Sequence, residues 1–132
     1  MSKLFFVGLG GFVGATMRYA TGLFIQRFAD TSQFPYSTLA VNFFGSLMIG
    51  FLIGLASVEG LLTISAQAFL ITGMLGAFTT FSTFSYETLN LFQTGKISPA
   101  IMNLSIQISL GIAAVWAGSV LAQVVSSSST RF

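Results

Sequence analysis

The sequence predicts an all-α membrane protein with four transmembrane helices per subunit, the third broken at the midplane, assembled as an antiparallel dual-topology homodimer. Three observations lead there. The chain is 54% hydrophobic and only 6% charged, against about 25% charged in a soluble domain, so its few charges cannot cover a globule and the remaining surface must face lipid. Four apolar stretches each reach the roughly 20 residues that cross a hydrocarbon core of about 30 Å. The third is too long for one straight crossing, and its segment MLGAFTTFSTFSYE at 74–87 carries five Ser and Thr side chains at a depth where hydrocarbon offers them no partner.

The first span runs from about Leu4 to Gln26. Lys3 followed by an apolar run has the look of a signal peptide, but no small-residue cleavage site ends it and Thr16 and Arg18 interrupt it, so it is read as a mature span. The second runs from about Tyr36 to Val58, the third from Leu61 to Phe92, and the fourth from Ile97 to Val125. Polar joints at Arg27 to Pro35, at Glu59 and Gly60, and at Thr94 to Lys96 separate them. Residues 1–126 form the four-helix unit, and the Ser-rich stretch 127–132 reads as a disordered tail.

Composition also excludes. The chain has no His and no Cys, which removes the usual zinc, copper and haem ligands and any disulfide framework. A net charge of +2, dispersed along the chain, does not suit nucleic acid. The run GLGGFVG at 8–14 has the outline of a dinucleotide loop, but Val13 stands at the last glycine position and no strand precedes it. With no nucleotide motif and no catalytic pair, the chain is read as not an enzyme.

Charge placement bears on topology. Four spans put Lys3, Glu59 and Arg131 on one side and Arg27, Asp30 and Lys96 on the other, so the basic loop residues divide two against two. Orientation follows Lys/Arg asymmetry in short loops; this chain has almost none and is expected to insert both ways. Two opposed copies can pair about a two-fold axis in the membrane plane.

Small and polar residues mark helix faces. Asn42, Ser46, Gly50 and Gly54 recur every four residues in the second span, Gly10 and Gly14 share that spacing in the first, and Asn103, Gln107 and Gly111 do so in the fourth. Small residues at this spacing let helix backbones approach closely, which makes the glycines packing seams first of all. Asn42 and Gln107 are different, because a carboxamide in hydrocarbon must meet a partner or a wet cavity. Either they pair helices or they line a path.

As one continuous helix the third segment would extend about 48 Å, so a break is expected near its centre at Ala77, between the glycines Gly73 and Gly76 and the threonines Thr79 and Thr80. Broken helices with free backbone groups are how transporters build ion sites at membrane depth. Beyond the break, Phe81 and Phe84 share a face, Ser82 and Ser85 form a second pair, and Thr79 and Thr83 are four apart. Hydroxyls, amides and the positive edge of a phenyl ring suit a small anion, and no carboxylate near the centre offers a cation cage. The same two rings also read as ordinary packing.

These residues resemble the small dual-topology bacterial fluoride channels, the Fluc or CrcB family, over nearly the whole chain. The likeness lies in GGFVGATMRY at 10–19, TLAVNFFGS at 38–46 and above all TGMLGAFTTFSTFSYE at 72–87; the fourth span matches weakly. The resemblance implies a passive fluoride channel of the bacterial inner membrane, a multi-pass protein inserted in both orientations, in which two antiparallel subunits build two pores and hold a structural sodium ion at the dimer centre. The backbone carbonyls of Gly76 and Thr79 would hold the sodium. Asn42, Phe81, Ser82, Thr83, Phe84, Asn103 and Gln107 would line the anion pathway, with Arg18 at its vestibule. Glu87, the only acid within a span, is either a gate at the pore mouth or a carboxylate near the interface that reaches water. Two departures stand out: the family often has two glycines where this chain has Gly76 and Ala77, and some relatives carry Ser where this chain has Gly111.

The implied partners are fluoride, sodium, lipid and a second copy of the chain. Two other functions fit four short spans: a proton-coupled multidrug exporter of dual topology, and a non-transporting membrane assembly factor. The exporter would need a Glu in its first span, and this chain has none there.

Overall fold

The computed structural model describes residues 2–58 and 61–129. Helix is its only regular structure among those residues. Helix α1 spans Ser2–Gln26 and α2 spans Tyr36–Ala56. The third segment begins with a short helix α3, Ile64–Gln67, capped by the Thr63 hydroxyl, which accepts from the Ala66 amide at 3.2 Å. It continues without interruption as a π-helical stretch π1, Ala68–Leu75, and a last turn α4, Gly76–Phe78. Helix α5, Phe81–Gln93, completes it, and α6 spans Ile97–Ser129.

Three stretches are long and apolar enough to cross a membrane: Tyr36–Ala56, Ile64–Gln93 and Ile97–Ser127. Helix α1 has 25 residues, about 37 Å at the usual rise, which is length enough. Polar Thr16 and charged Arg18 hold down its hydropathy, so composition alone does not mark it as a fourth. Helix α6 runs through Ser129, into the Ser-rich stretch. Residues 130–132 and the pair Glu59 and Gly60 lie outside the described residues, and with them Glu59 and Arg131 of the charge count.

The expected seams form. Helix α2 packs most extensively on α6, and α1 on π1. A Cβ at Gly50 would strike the Val115 backbone, and one at Gly118 the Leu47 carbonyl. On the other seam, Cβ atoms at Gly10 and Gly14 would strike the backbone carbonyls of Phe69 and Met74, both in π1. The backbones therefore lie as close as helices can, and dispersion replaces the hydrophobic drive that lipid does not supply. Outside these seams Phe5, Phe12, Phe24, Ile112 and Trp116 are exposed. An apolar exterior of this extent must meet lipid or another chain.

Helix α5 ends in a Schellman arrangement. Gly95 has φ +76°, its amide donates to the Phe92 carbonyl at 3.1 Å, and the Lys96 amide donates to Leu91 at 2.9 Å; the left-handed turn explains the glycine. The Lys96 ammonium donates to the Ser32 carbonyl at 2.9 Å, tying this turn to the α1–α2 loop. In that loop hydrogen bonds from Ser32, helped by the Lys96 charge, hold the Asp30 carboxyl below the usual range.

Candidate functional site

The helix breaks at Thr79 and Thr80, two residues beyond the expected position at Ala77. Gly76 keeps helical φ −60° and ψ −35°, whereas Thr79 (ψ 158°) and Thr80 (φ −150°, ψ 115°) are extended. The reason lies in hydrogen bonding rather than in glycine flexibility. Thr79 closes α4, its amide and hydroxyl both donating to the Leu75 carbonyl at 3.0 Å. Thr80 opens α5 as its N-cap, the hydroxyl oxygen accepting from the Thr83 amide at 3.2 Å and its proton going to Thr83 Oγ1 at 2.8 Å.

Asn42 supplies what the break removes. Its Oδ1 accepts from the Thr80 amide at 2.9 Å and its Nδ2 donates to the Thr80 carbonyl at 3.1 Å. One side chain of α2 thus satisfies both backbone groups of the residue where the helix is interrupted. In an unbroken helix the Thr80 amide would donate to Gly76 and the Thr83 amide to Thr79. Both donors are diverted, so the Gly76 and Thr79 carbonyls lose their helical partners.

Nδ2 of Asn42 also donates to Gln107 Oε1 at 3.0 Å, joining α2 to α6. Beside this triple junction lies a groove of about 320 Å³ bordered by Asn42, Ser46, Thr80, Phe81, Phe84 and Gln107, with no carboxylate among its lining residues. The Phe81 and Phe84 rings stand 5.8 Å apart at 59°. They differ in setting: Phe81 is 80% exposed and Phe84 only 8%.

A second hollow of about 280 Å³ also meets Thr80, and Thr83, Arg18, Ser37 and Thr38 border it. A third, about 150 Å³, shares Gln26 and Ser37 with the second and reaches Glu87, Asn90 and the Thr31–Ser32 turn. The three succeed one another from the break toward the α1–α2 loop. Glu87 is half-buried; its Oε1 accepts from the Thr38 hydroxyl at 2.8 Å, and its Oε2 is buried without a partner.

Most residues singled out from the sequence therefore gather around these hollows: Arg18, Asn42, Thr79, Phe81, Thr83, Phe84, Glu87 and Gln107. Ser82 is exposed and borders none of the three. Asn103 does not border them either. It is fully buried, and its Nδ2 donates to the Thr88 hydroxyl at 2.8 Å, which donates in turn to the Phe84 carbonyl at 2.8 Å. Three threonines were not singled out as site residues. Thr80 carries the N-cap signature, a hydroxyl three residues before Thr83; Thr38 lies four residues before Asn42 and Thr88 four after Phe84, on shared faces.

The family model described as CrcB-like protein, Camphor Resistance (CrcB), matches residues 5–119. The chain belongs to the CrcB family. Relatives extend over nearly all of this CrcB-family chain. A fluoride-specific ion channel FluC of Ruminiclostridium cellulolyticum is 43% identical over 92% of this chain and 92% of its own. One of Flavobacterium psychrophilum is 37% identical over 93% of this chain and 98% of its own. A protein of Methanosarcina acetivorans named fluoride-specific ion channel FluC 1 is 37% identical over 92% of each.

Proposed function

We propose that the chain is the subunit of a fluoride-selective channel, two antiparallel copies of which form a passive path for fluoride across the bacterial inner membrane. The observation that carries this reading is the groove beside the break, where amide, hydroxyl and ring-edge groups converge with no carboxylate among them. Such a set can replace the hydration shell of a small anion and offers a cation little. Relatives named as fluoride-specific channels supply the identity of the anion.

In this reading α1 is the fourth crossing, so both termini share a side. Fluoride passes Phe81, Phe84 and Gln107, crosses the junction at Thr80 and Asn42, and continues past Thr83 and Arg18 toward Glu87 at the mouth, with Ser82 set off from these hollows. Asn103 acts from behind, through Thr88 and the Phe84 carbonyl. In an acidic medium hydrogen fluoride enters the cell as a neutral molecule and dissociates at the higher internal pH. A passive channel then lets the trapped anion leave down its electrochemical gradient.

The carbonyls of Gly76 and Thr79 fit a structural sodium ion at the dimer centre. Both have lost their helical partners to Asn42 and the Thr80 cap, Gly76 is exposed, and backbone carbonyl oxygen is a suitable ligand for a hard cation. Bound there, sodium would supply positive charge that offsets repulsion between anions in the paired pores.

Fluoride efflux from liposomes tests the function. Purified protein should release fluoride, and not chloride, without a proton gradient. Proton-driven exchange of an organic cation, or no flux, would replace this reading with the exporter or the assembly factor.

A further inference from the structure

Every polar atom of the Asn42 carboxamide is committed. Its Oδ1 faces the Thr80 amide at 2.9 Å, and since a backbone N–H can only donate, the orientation of the Asn42 amide is fixed. Its Nδ2 then has two hydrogens for two acceptors, the Thr80 carbonyl at 3.1 Å and Gln107 Oε1 at 3.0 Å. An amide nitrogen cannot accept. Gln107 must therefore turn its oxygen toward Asn42 and its NH2 away. That Nε2 is buried with no partner, on a residue 9% exposed that borders the groove of Phe81 and Phe84.

We propose that Asn42 sets the polarity of the groove by locking Gln107 with its NH2 toward the permeating ion, which makes Gln107 the residue that selects a small anion. The inference rests on the channel reading above. A carboxamide free to rotate presents oxygen as readily as nitrogen, so it could greet a cation as well as an anion. Locked, it presents donors only. The backbone of the broken helix thereby dictates, through one side chain of α2, the sign of charge that a residue of α6 accepts. Buried donors without partners are costly, and a small anion with strong acceptor character removes that cost where a cation adds to it.

Gln107→Glu removes the donor while the carboxylate still accepts from Asn42, and Gln107→Met removes it without adding a charge that repels fluoride, so the two variants together separate loss of the donor from repulsion. Fluoride efflux should slow roughly 10- to 100-fold in both with unchanged elution in size-exclusion chromatography; efflux within about twofold of the parent in either would overturn the proposal. The lock is read by nitrogen-15 labelling of glutamine side chains in detergent micelles, with the Gln107 signals identified by their loss in Gln107→Glu. Sodium fluoride should shift those NH2 resonances saturably, and sodium chloride should not. In Asn42→Asp, whose carboxylate still accepts from Thr80 but donates nothing, Gln107 turns its NH2 onto the new acceptor and fluoride should leave the signals in place. An equal shift in that variant, or no shift in the parent protein, would overturn the lock. Efflux by the parent protein judges the channel reading separately, since the resonance shift is read whether or not flux is seen.

Discussion

Phe81 and Phe84 are three residues apart and chemically identical, yet one is 80% and the other 8% exposed in the subunit. Truncating a buried Phe costs about 3–5 kcal/mol, while an exposed side chain contributes within about 0.5 kcal/mol. Phe84→Ala should therefore lower unfolding stability in mixed detergent by several kcal/mol and also slow fluoride efflux. Phe81→Ile should slow efflux with stability nearly unchanged, and wild-type efflux in that variant would return the ring to packing. The Asn103 pair makes a second contrast. Thr88→Val removes the acceptor for Asn103 Nδ2, whose Oδ1 is already buried and unpartnered, and should cost about 1–3 kcal/mol of stability. Adding Asn103→Leu removes both orphaned groups and should recover most of that loss, since replacing both partners by apolar groups is close to neutral.

At the scale of elements, the seams and the break obey different rules. A seam needs backbones to touch. Gly14 faces the Met74 carbonyl with no room for a Cβ, whereas Gly8, on the same helix, has nothing within 4 Å. Gly14→Ala should destabilise the subunit by about 1–3 kcal/mol through overpacking. Gly8→Ala should be neutral, or stabilising by up to about 1 kcal/mol through helix propensity. Thermal unfolding of the two variants in one detergent distinguishes them, and equal effects would contradict the seam. The break instead needs partners for stranded backbone groups. Asn42, Thr79 and Thr80 provide them, which is why the interruption sits where these side chains can reach rather than at the preceding Gly76 and Ala77.

For the whole molecule, a large apolar exterior and a groove left open beside Phe81 leave room for the second copy proposed above. The near balance of basic residues between the two ends gives neither orientation an advantage, so opposed copies should arise from one gene product. The chain has no cysteine, and Ser2→Cys should therefore label from both faces of the membrane in comparable amounts. Labelling from one face alone would rule out dual insertion. The expectation of a long, interrupted third segment carried over to the structure, and Gly10, Gly14 and Gly50 do face neighbouring backbones, but that the seams pair α2 with α6 and α1 with π1 came from the structure. The π-helical turns of Ala68–Leu75 left no mark in the sequence, because a π-helix has the same apolar composition as an α-helix in lipid.

The sequence by itself determined the apolar surroundings, the approximate extents of the helices and the faces that carry small residues. Those depend on composition and periodicity, which are properties of the chain one residue at a time. It also placed Asn42 and Gln107 as carboxamides that must find partners, leaving open whether they joined helices or lined a path. Only the tertiary structure decided that they join elements, Asn42 holding Thr80 and Gln107, and that both border one groove. It alone separated Asn103 from the hollows and gave Phe81 and Phe84 unequal exposure. The physical reason is that hydrogen-bond direction and burial arise between elements distant in sequence: Asn42 meets Gln107 across 65 residues, and no local pattern records which end of an amide faces which neighbour.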